Sequence, residues 1–268
     1  MTIRSMVKDQ NKRQELSVVL ATYNEEKNLP ECLNSVAGLA DEIIIVDGSS
    51  QDKTVEVAKK YKAKVVVTEN LPNFHINKQK AIDLATKNWV FQLDADERVS
   101  NELVEEIKSK LANNSSTNGY WIARKNWFLG RFLMKGGQYP DYTLRLYRKG
   151  KGHLPQVHVH EQAEVVGHVE YLKHALLHYP YKNLASYLVK WNRYNGLLAS
   201  QIIERLKNKN FFAKMGYAVG YLIIKPAHWF LTTYIRHKGF MDLWPGFVFS
   251  LFSALRFPVS YLKYLKIL

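Results

Sequence analysis

Cysteine is almost missing from these 268 residues: Cys32 stands alone, which excludes a disulfide framework and a cysteine-built zinc site. Glycine-rich phosphate signatures are missing too. No G-x-G-x-x-G follows the first apolar run and no G-x-x-x-x-G-K-[ST] occurs, so neither a dinucleotide oxidoreductase nor a P-loop enzyme is supported. The G-x-S-x-G elbow of serine hydrolases is absent as well. Met1 to Glu15 is polar and basic with no apolar centre, which argues against a secretory signal and points to the cytoplasm. Long apolar runs are lacking. The window LWPGFVFSLFSAL has 13 uncharged residues, below the ~18–20 that a spanning helix needs. Acids are scarce at one end: from Arg205 onward ten Lys/Arg face one acid, Asp242.

What is present is a globular composition, 47% hydrophobic and 23% charged, with a net charge of +14. The first two-thirds alternates strand and helix signals. LSVVLA, EIIIVDG, KVVV and WVFQLDAD are short apolar runs, and between them lie EKNLPECLNSVAGL, DKTVEVAKKYK and NKQKAIDLATK. Near-continuous strands separated by amphipathic helices predict βαβ units around a parallel sheet covered on both faces. Ser100 is placed to cap a following helix with Leu103, Ile107 and Leu111 on one face. GYWIAR predicts another strand, and a long helix is expected from Asn183 to about Lys207. The last 58 residues combine basic and aromatic side chains, with the aromatics in unbroken apolar runs. That pattern favours a membrane surface or a packed helical subdomain over nucleic acid, for which aromatics would be interleaved singly with basic residues.

Ligands of such sheets sit beyond the carboxyl ends of the strands. Strand one ends in Ala21-Thr22-Tyr23-Asn24-Glu25, and strand two in Asp47-Gly48-Ser49-Ser50 with Asp52 and Thr54 beyond. Asp94 and Asp96 follow WVFQL. Two carboxylates so close need a cation or protons to coexist, and hard oxygen ligands with a phosphate-bearing substrate suit Mg²⁺ or Mn²⁺. Each cluster alone is ordinary turn and cap chemistry. Three on one sheet edge suggest a site.

SVVLATYNEEKNLPECLNSV, EIIIVDGSSQDKT and WVFQLDADE, in this order, resemble the inverting family 2 glycosyltransferases of the GT-A fold, and the likeness continues through DYTLRLYRKGKG, VHVHE and LLHYPY. Within that family the chain is most similar to bacterial lipopolysaccharide core glucosyltransferases. The resemblance implies an α/β GT-A, Rossmann-like nucleotide-sugar domain with a mostly parallel sheet over residues 14–180. A flexible lead (1–13) would precede it and a helical, membrane-associating region (181–268) would follow. The family's paired acid (VDDGS) is reduced here, with Gly48 in the second place, so Asp47 alone would carry the base contact.

The resemblance further implies that Thr22, Glu25 and Asp47 hold the uridine of a UDP-sugar, with Tyr23 also binding the donor. Lys78, Gln79 or Lys80 would approach the donor, and Arg145, Lys190 and Arg193 are candidates to assist the departing diphosphate. Asp94 would touch ribose or metal, and Asp96 would ligate Mg²⁺ or Mn²⁺, with His160 and His178 as further candidate ligands. Glu161 would be the catalytic base. The acceptor would be a saccharide or lipid-linked sugar, the location the inner face of a bacterial inner membrane, and the partner surface anionic lipid. A polyprenyl-phosphate acceptor and a non-catalytic membrane-binding module are the alternatives.

Overall fold

The computed structural model describes residues 13–113, 115–156 and 162–266. The chain divides into two compact units. The first runs to Arg124 and resumes over Asp141–His178; the second comprises Lys125–Pro140 and the chain from Tyr179. The hairpin Lys125–Pro140, inside the expected 14–180 domain, thus groups with the C-terminal helices.

In the first unit the sheet begins with four parallel strands, β1 (Leu16–Thr22), β2 (Glu42–Asp47), β3 (Lys64–Val67) and β4 (Trp89–Leu93), in the order β3-β2-β1-β4. Side chains alternate between faces along each strand. Val18, Leu20, Ile45 and Phe91 join one buried cluster, and Val19, Ile44, Val46 and Val90 join another. Both faces of β1, β2 and β4 are therefore dry, which is why these strands read as unbroken apolar runs rather than alternating ones, while the edge strand β3 is exposed at Lys64 and Val67. Helix α1 (Leu29–Val36) enters through Pro30 near its start and buries Leu29, Cys32, Leu33 and Val36, a stripe at helical spacing. α2 (Thr54–Lys60) and α3 (His75–Asp83) fill the other crossovers.

Beyond β4 the pairing changes sense. The chain turns at Asp94–Asp96, with the Glu97 amide donating to the Asp94 carbonyl at 2.9 Å, and continues into β5 (Glu97–Val99) and α4 (Asn101–Ala112). Ser100 caps α4 as its sequence predicts, its hydroxyl accepting from the Leu103 amide at 3.3 Å. β6 (Gly119–Phe128) leads into the short strand β7 (Arg131–Leu133). β8 (Asp141–Arg148) then lies antiparallel between β4 and β6. β9 (Gly152–His153) and β10 (Glu164–Val165) form a small separate pair. β11 (Val169–Tyr171) runs parallel to β6, and β12 (Leu176–His178) pairs antiparallel with β5.

The second unit contains the end of β6 with β7, then α5 (Leu184–Leu206), α6 (Phe211–Val219), α7 (Lys225–Phe230) and α8 (Leu243–Tyr264). Asn183 and Ser186 form a reciprocal capping box at the start of α5. Two π turns, Gly220–Ile224 and Leu231–Arg236, flank α7. Pro226 offers no N–H and its ring crowds the preceding turn, which a widened turn relieves. Around α8, Phe128, Leu133 and Tyr187 pack with Phe249 and Phe252, and Ile202, Leu206, Tyr221 and Tyr261 form a second cluster. Gly246 is required by proximity: a Cβ there would lie 2.0 Å from the Gly239 carbonyl oxygen. Among the described residues no helix is long and apolar enough to cross a membrane.

Candidate active site

The loops after β1 and β2 are joined by a ladder of polar contacts. Thr22 donates its hydroxyl to Asp47 Oδ2 at 2.8 Å, while the Ser50 amide and hydroxyl donate to the same carboxylate at 2.8 and 2.7 Å. The Asn24 amide reaches the Ser50 hydroxyl, the Glu25 amide reaches Thr54, and the Glu26 amide reaches Asp52. Asp52 also accepts from the Thr54 amide and hydroxyl. Burial alone would raise the Asp52 carboxyl; these donors outweigh it and hold its pKa below the ordinary value. Asn24 and Ser49 adopt positive φ, 56° and 62°, a conformation Asn tolerates well. At Gly48 a Cβ would lie 3.2 Å from the Asn70 Cα, so a side chain there would require Asn70 to shift by a few tenths of an ångström.

Asp47 is fully buried and Thr22 nearly so, whereas Tyr23 is exposed. The four sequence-predicted residues therefore separate by layer. Asp47 and Thr22 shape the floor of the loop, Glu25 accepts from the Asn28 side chain at 2.7 Å, and Tyr23 faces outward.

Across the sheet edge lies a network of opposed charges. Asp94 is gripped by Lys78 through Oδ1 and by Arg145 through Oδ2, the latter at 2.7 Å. Burial on its own would raise the Asp94 carboxyl, but Arg145 and Lys78 hold it well below the carboxylate range. Burial likewise disfavours the Arg145 cation, and Asp94 and Glu97 more than reverse that, raising its pKa. Glu97, fully buried, accepts from the Asp94 amide at 2.9 Å and from Arg145 at 3.1 Å, with Arg124 at 3.5 Å. Arg124 in turn binds Asp141 at 2.7 Å across the β6–β8 pair. Desolvating so many charges is costly unless each is paired. Here they are paired.

Of the three candidates on α3, Lys78 is the one that reaches Asp94. Gln79 turns to Asp83 and to the Leu154 amide, and Lys80 is exposed. Lys190 and Arg193 are exposed on α5 in the second unit.

The β5–β12 register sets His178 opposite Glu97, which brings its Nε2 to 3.4 Å from Asp96 Oδ2. Both side chains are partly open. Among the described residues no group of three His, Cys, Asp or Glu gathers to hold a metal. The donor set nevertheless fits Mg²⁺ or Mn²⁺ in their usual protein mode, in which one or two side chains bind and water and substrate phosphates complete the shell. Asp96 and His178 suit that role better than Asp94, whose two oxygens already face cations. Glu161 and His160 lie outside the described residues. Cys32, buried under the site with its Sγ 3.5 Å from the Asp94 carbonyl, is pushed up by burial and is no nucleophile.

Sequence reasoning did not assign roles to Glu97, Arg124 or Asp141. A signal existed: Arg124 and Arg145 are cations in strands whose neighbours are apolar, and a charge in such a place calls for a partner.

Comparison with known proteins gives one family. The profile described as Glycosyl transferase family 2 matches residues 17–163. The chain is 29% identical over 252 residues to the lipopolysaccharide core biosynthesis glycosyltransferase LpsC of Rhizobium meliloti (strain 1021), covering 89% of this chain and 90% of that protein. It is 27% identical over 250 residues to an uncharacterized glycosyltransferase of Rickettsia typhi, covering 89% of this chain and 82% of that protein. Among solved structures, S. aureus TarS 1-349 aligns over 94% of this chain and 88% of that chain, with 15% identity and a TM-score of 0.47.

Proposed function

The chain belongs to glycosyl transferase family 2 and is a glycosyltransferase, and we propose that it moves a sugar, glucose in the first instance, from a UDP-sugar to a saccharide or lipid-linked acceptor with inversion. The observation that carries this reading is the pairing of Asp96 with His178 beside the buried Lys78–Asp94–Arg145 cluster. Thr22, Glu25 and Asp47 would form the uridine end, with Asp47 fixing the loop that meets the base and Tyr23 also binding the donor. Asp96 and His178, with His160, would hold Mg²⁺ or Mn²⁺. When bound, the cation supplies positive charge against the leaving diphosphate.

The acceptor hydroxyl oxygen forms a bond to the anomeric carbon as that carbon's bond to the diphosphate oxygen breaks, and the hydroxyl proton passes to Glu161. A positioned base of this kind is worth about 10²–10⁴-fold. Lys78 and Arg145, held by Asp94, face the charge that develops on the diphosphate. Preorganised cations act without reorganisation cost, at about 10²–10³-fold each.

The chemistry of the second unit supports a station on an anionic membrane surface, on the inner face of a bacterial inner membrane. Its helices expose Phe211 (68%), Phe212 (80%) and Ile223 (64%), and its sequence is strongly basic. The name of the LpsC relative agrees with a lipopolysaccharide core-like acceptor.

Incubation of purified protein with Mn²⁺, a panel of UDP-sugars and a lipid-linked saccharide tests the reaction. Transfer from one of them is expected, and no transfer or hydrolysis with any would overturn it. Glu161→Gln then separates acceptors: a rate loss of about 10²-fold or more marks a hydroxyl acceptor, and near-normal turnover a polyprenyl phosphate, which needs little base assistance.

A further inference from the structure

Within the second unit, the hairpin tip and the start of α8 enclose an open cavity of about 390 Å³. It is lined by Leu129, Gly130, Arg131, Phe132, Leu243, Trp244 and Pro245. We propose that this cavity receives the phosphate headgroup of an anionic membrane lipid, with Arg131 as the headgroup ligand and Leu243 and Trp244 against the acyl chains. The inference rests on the membrane reading above and deepens it, because it replaces a diffuse basic-aromatic surface with one built site.

Arg131 carries the argument. Its nearest acid is Asp242, at 3.6 Å, too long for a hydrogen bond. That contact is an ion pair from Arg131 Nη2 to Asp242 Oδ1, while Asp242 Oδ2 accepts from the Lys135 amide at 2.7 Å. Arg131 Nε is buried with no acceptor among the described residues. A guanidinium has five donors in a fixed fork that matches phosphate oxygens, and a buried N–H without an acceptor is costly. Nε itself is closed to solvent, so a lipid phosphate would meet the terminal Nη groups of this side chain, which is 34% exposed.

The surroundings select a lipid over a free anion. Leu243 and Trp244 are 65% and 60% exposed, and Phe240, Met241 and Phe247 are also open. Exposed apolar side chains in such density mark a surface that is covered in use. Tryptophan is suited to the headgroup level, where one part of the ring is apolar and the N–H is wet. Lys135, Arg236 and Lys238 are exposed in the same part of the unit, where the Gly136 amide donates to the His237 carbonyl at 2.9 Å. The buried Asp242 is the one acid after Glu204, so the charge here complements an anionic headgroup.

Full-length protein is sedimented with vesicles of phosphatidylcholine alone or mixed with phosphatidylglycerol, for wild type, Arg131→Gln, Arg131→Lys, Trp244→Ser and Lys207→Gln. Lys207 is exposed just beyond α5, so its variant makes the same charge change outside the cavity. Arg131→Gln is expected to weaken phosphatidylglycerol binding about tenfold, and to do so still at raised salt, where the smaller Lys207→Gln effect is screened away. Arg131→Lys should recover only part of the loss, because the fork is gone. Trp244→Ser, at an exposed position, should weaken binding with an unchanged Tm. Equal losses for Arg131→Gln and Lys207→Gln at both salts would overturn the site and leave the membrane reading standing. Wild type failing to bind either vesicle would overturn both. Unfolding of Arg131→Gln, if seen, leaves Trp244→Ser and Arg131→Lys to decide.

Discussion

In the first unit Asp47, Lys78, Glu97 and Arg145 are buried among partners, and the apolar side chains of β1, β2 and β4 are largely enclosed on both faces of the sheet. In the second unit Asp242 is the buried acid, and Phe211, Phe212, Leu243 and Trp244 face outward. Burying charge costs free energy that only close pairing offsets. Exposing large apolar groups forgoes about 1.5–3 kcal/mol for each fully buried Leu or Phe. Each unit therefore departs from the arrangement that stability alone would favour, and in opposite directions. Under the proposed function these departures would serve two tasks, binding a charged donor in the first unit and meeting an anionic membrane surface in the second.

Removing one partner from the buried network has the largest expected effect. Arg145→Met leaves Asp94 and Glu97 short of their shared cation, and breaking such a pair costs about 3–5 kcal/mol. Chemical denaturation measures it, and a loss below about 1 kcal/mol would mean the network is solvated rather than buried. On the other side of the contrast, Phe211→Ser with Phe212→Ser should leave stability within about 0.5 kcal/mol per site. The same double variant should reduce binding to anionic vesicles about tenfold, following the lost apolar area. A marked fall in Tm instead would mean that these rings are packed in solution.

A smaller effect is expected for a carboxylate away from the site. Glu106 accepts from the Lys173 and His174 amides and lies 2.9 Å from the His174 ring. Burial would raise its pKa, and these donors hold it below the ordinary value. A depressed folded-state pKa gives stability that is present above the unfolded value and lost as pH falls through the folded one. Glu106→Gln should therefore cost about 1 kcal/mol at pH 7, and the difference from wild type should close as the pH drops below about 4. A pH-independent difference would point to packing rather than charge.

Much of the first unit was legible because its signals are local. The first three parallel strands lie within a residue of the apolar runs that announce them, β4 ends at Leu93 where the acids of WVFQLDAD begin, and Ser100 caps α4 through a hydroxyl three residues from its partner. The long α5 also ends within a residue of its expected bounds. Helix bounds were overread where polar turn residues share the periodicity: EKNLPECLNSVAGL contains a helix of only eight residues, Leu29–Val36. The strand-end clusters of the site were visible for the same local reason. The identity of their partners was not. Asp94 meets Arg145 across 51 positions and Asp96 meets His178 across more, through antiparallel pairings that no local pattern encodes. The grouping of the hairpin Lys125–Pro140 with the C-terminal helices is hidden in the same way, since its apolar residues are ordinary strand residues until Phe128 and Leu133 are seen packing with Tyr187.

The donor site is tested most directly by calorimetric titration of UDP into the full-length protein with and without Mn²⁺, for wild type and Asp96→Asn. UDP should bind wild type at least tenfold more tightly when Mn²⁺ is present, and Asp96→Asn should abolish that gain while keeping its fold. Equal UDP affinity with and without Mn²⁺, unmoved by Asp96→Asn, would contradict a cation held between this carboxylate and the diphosphate.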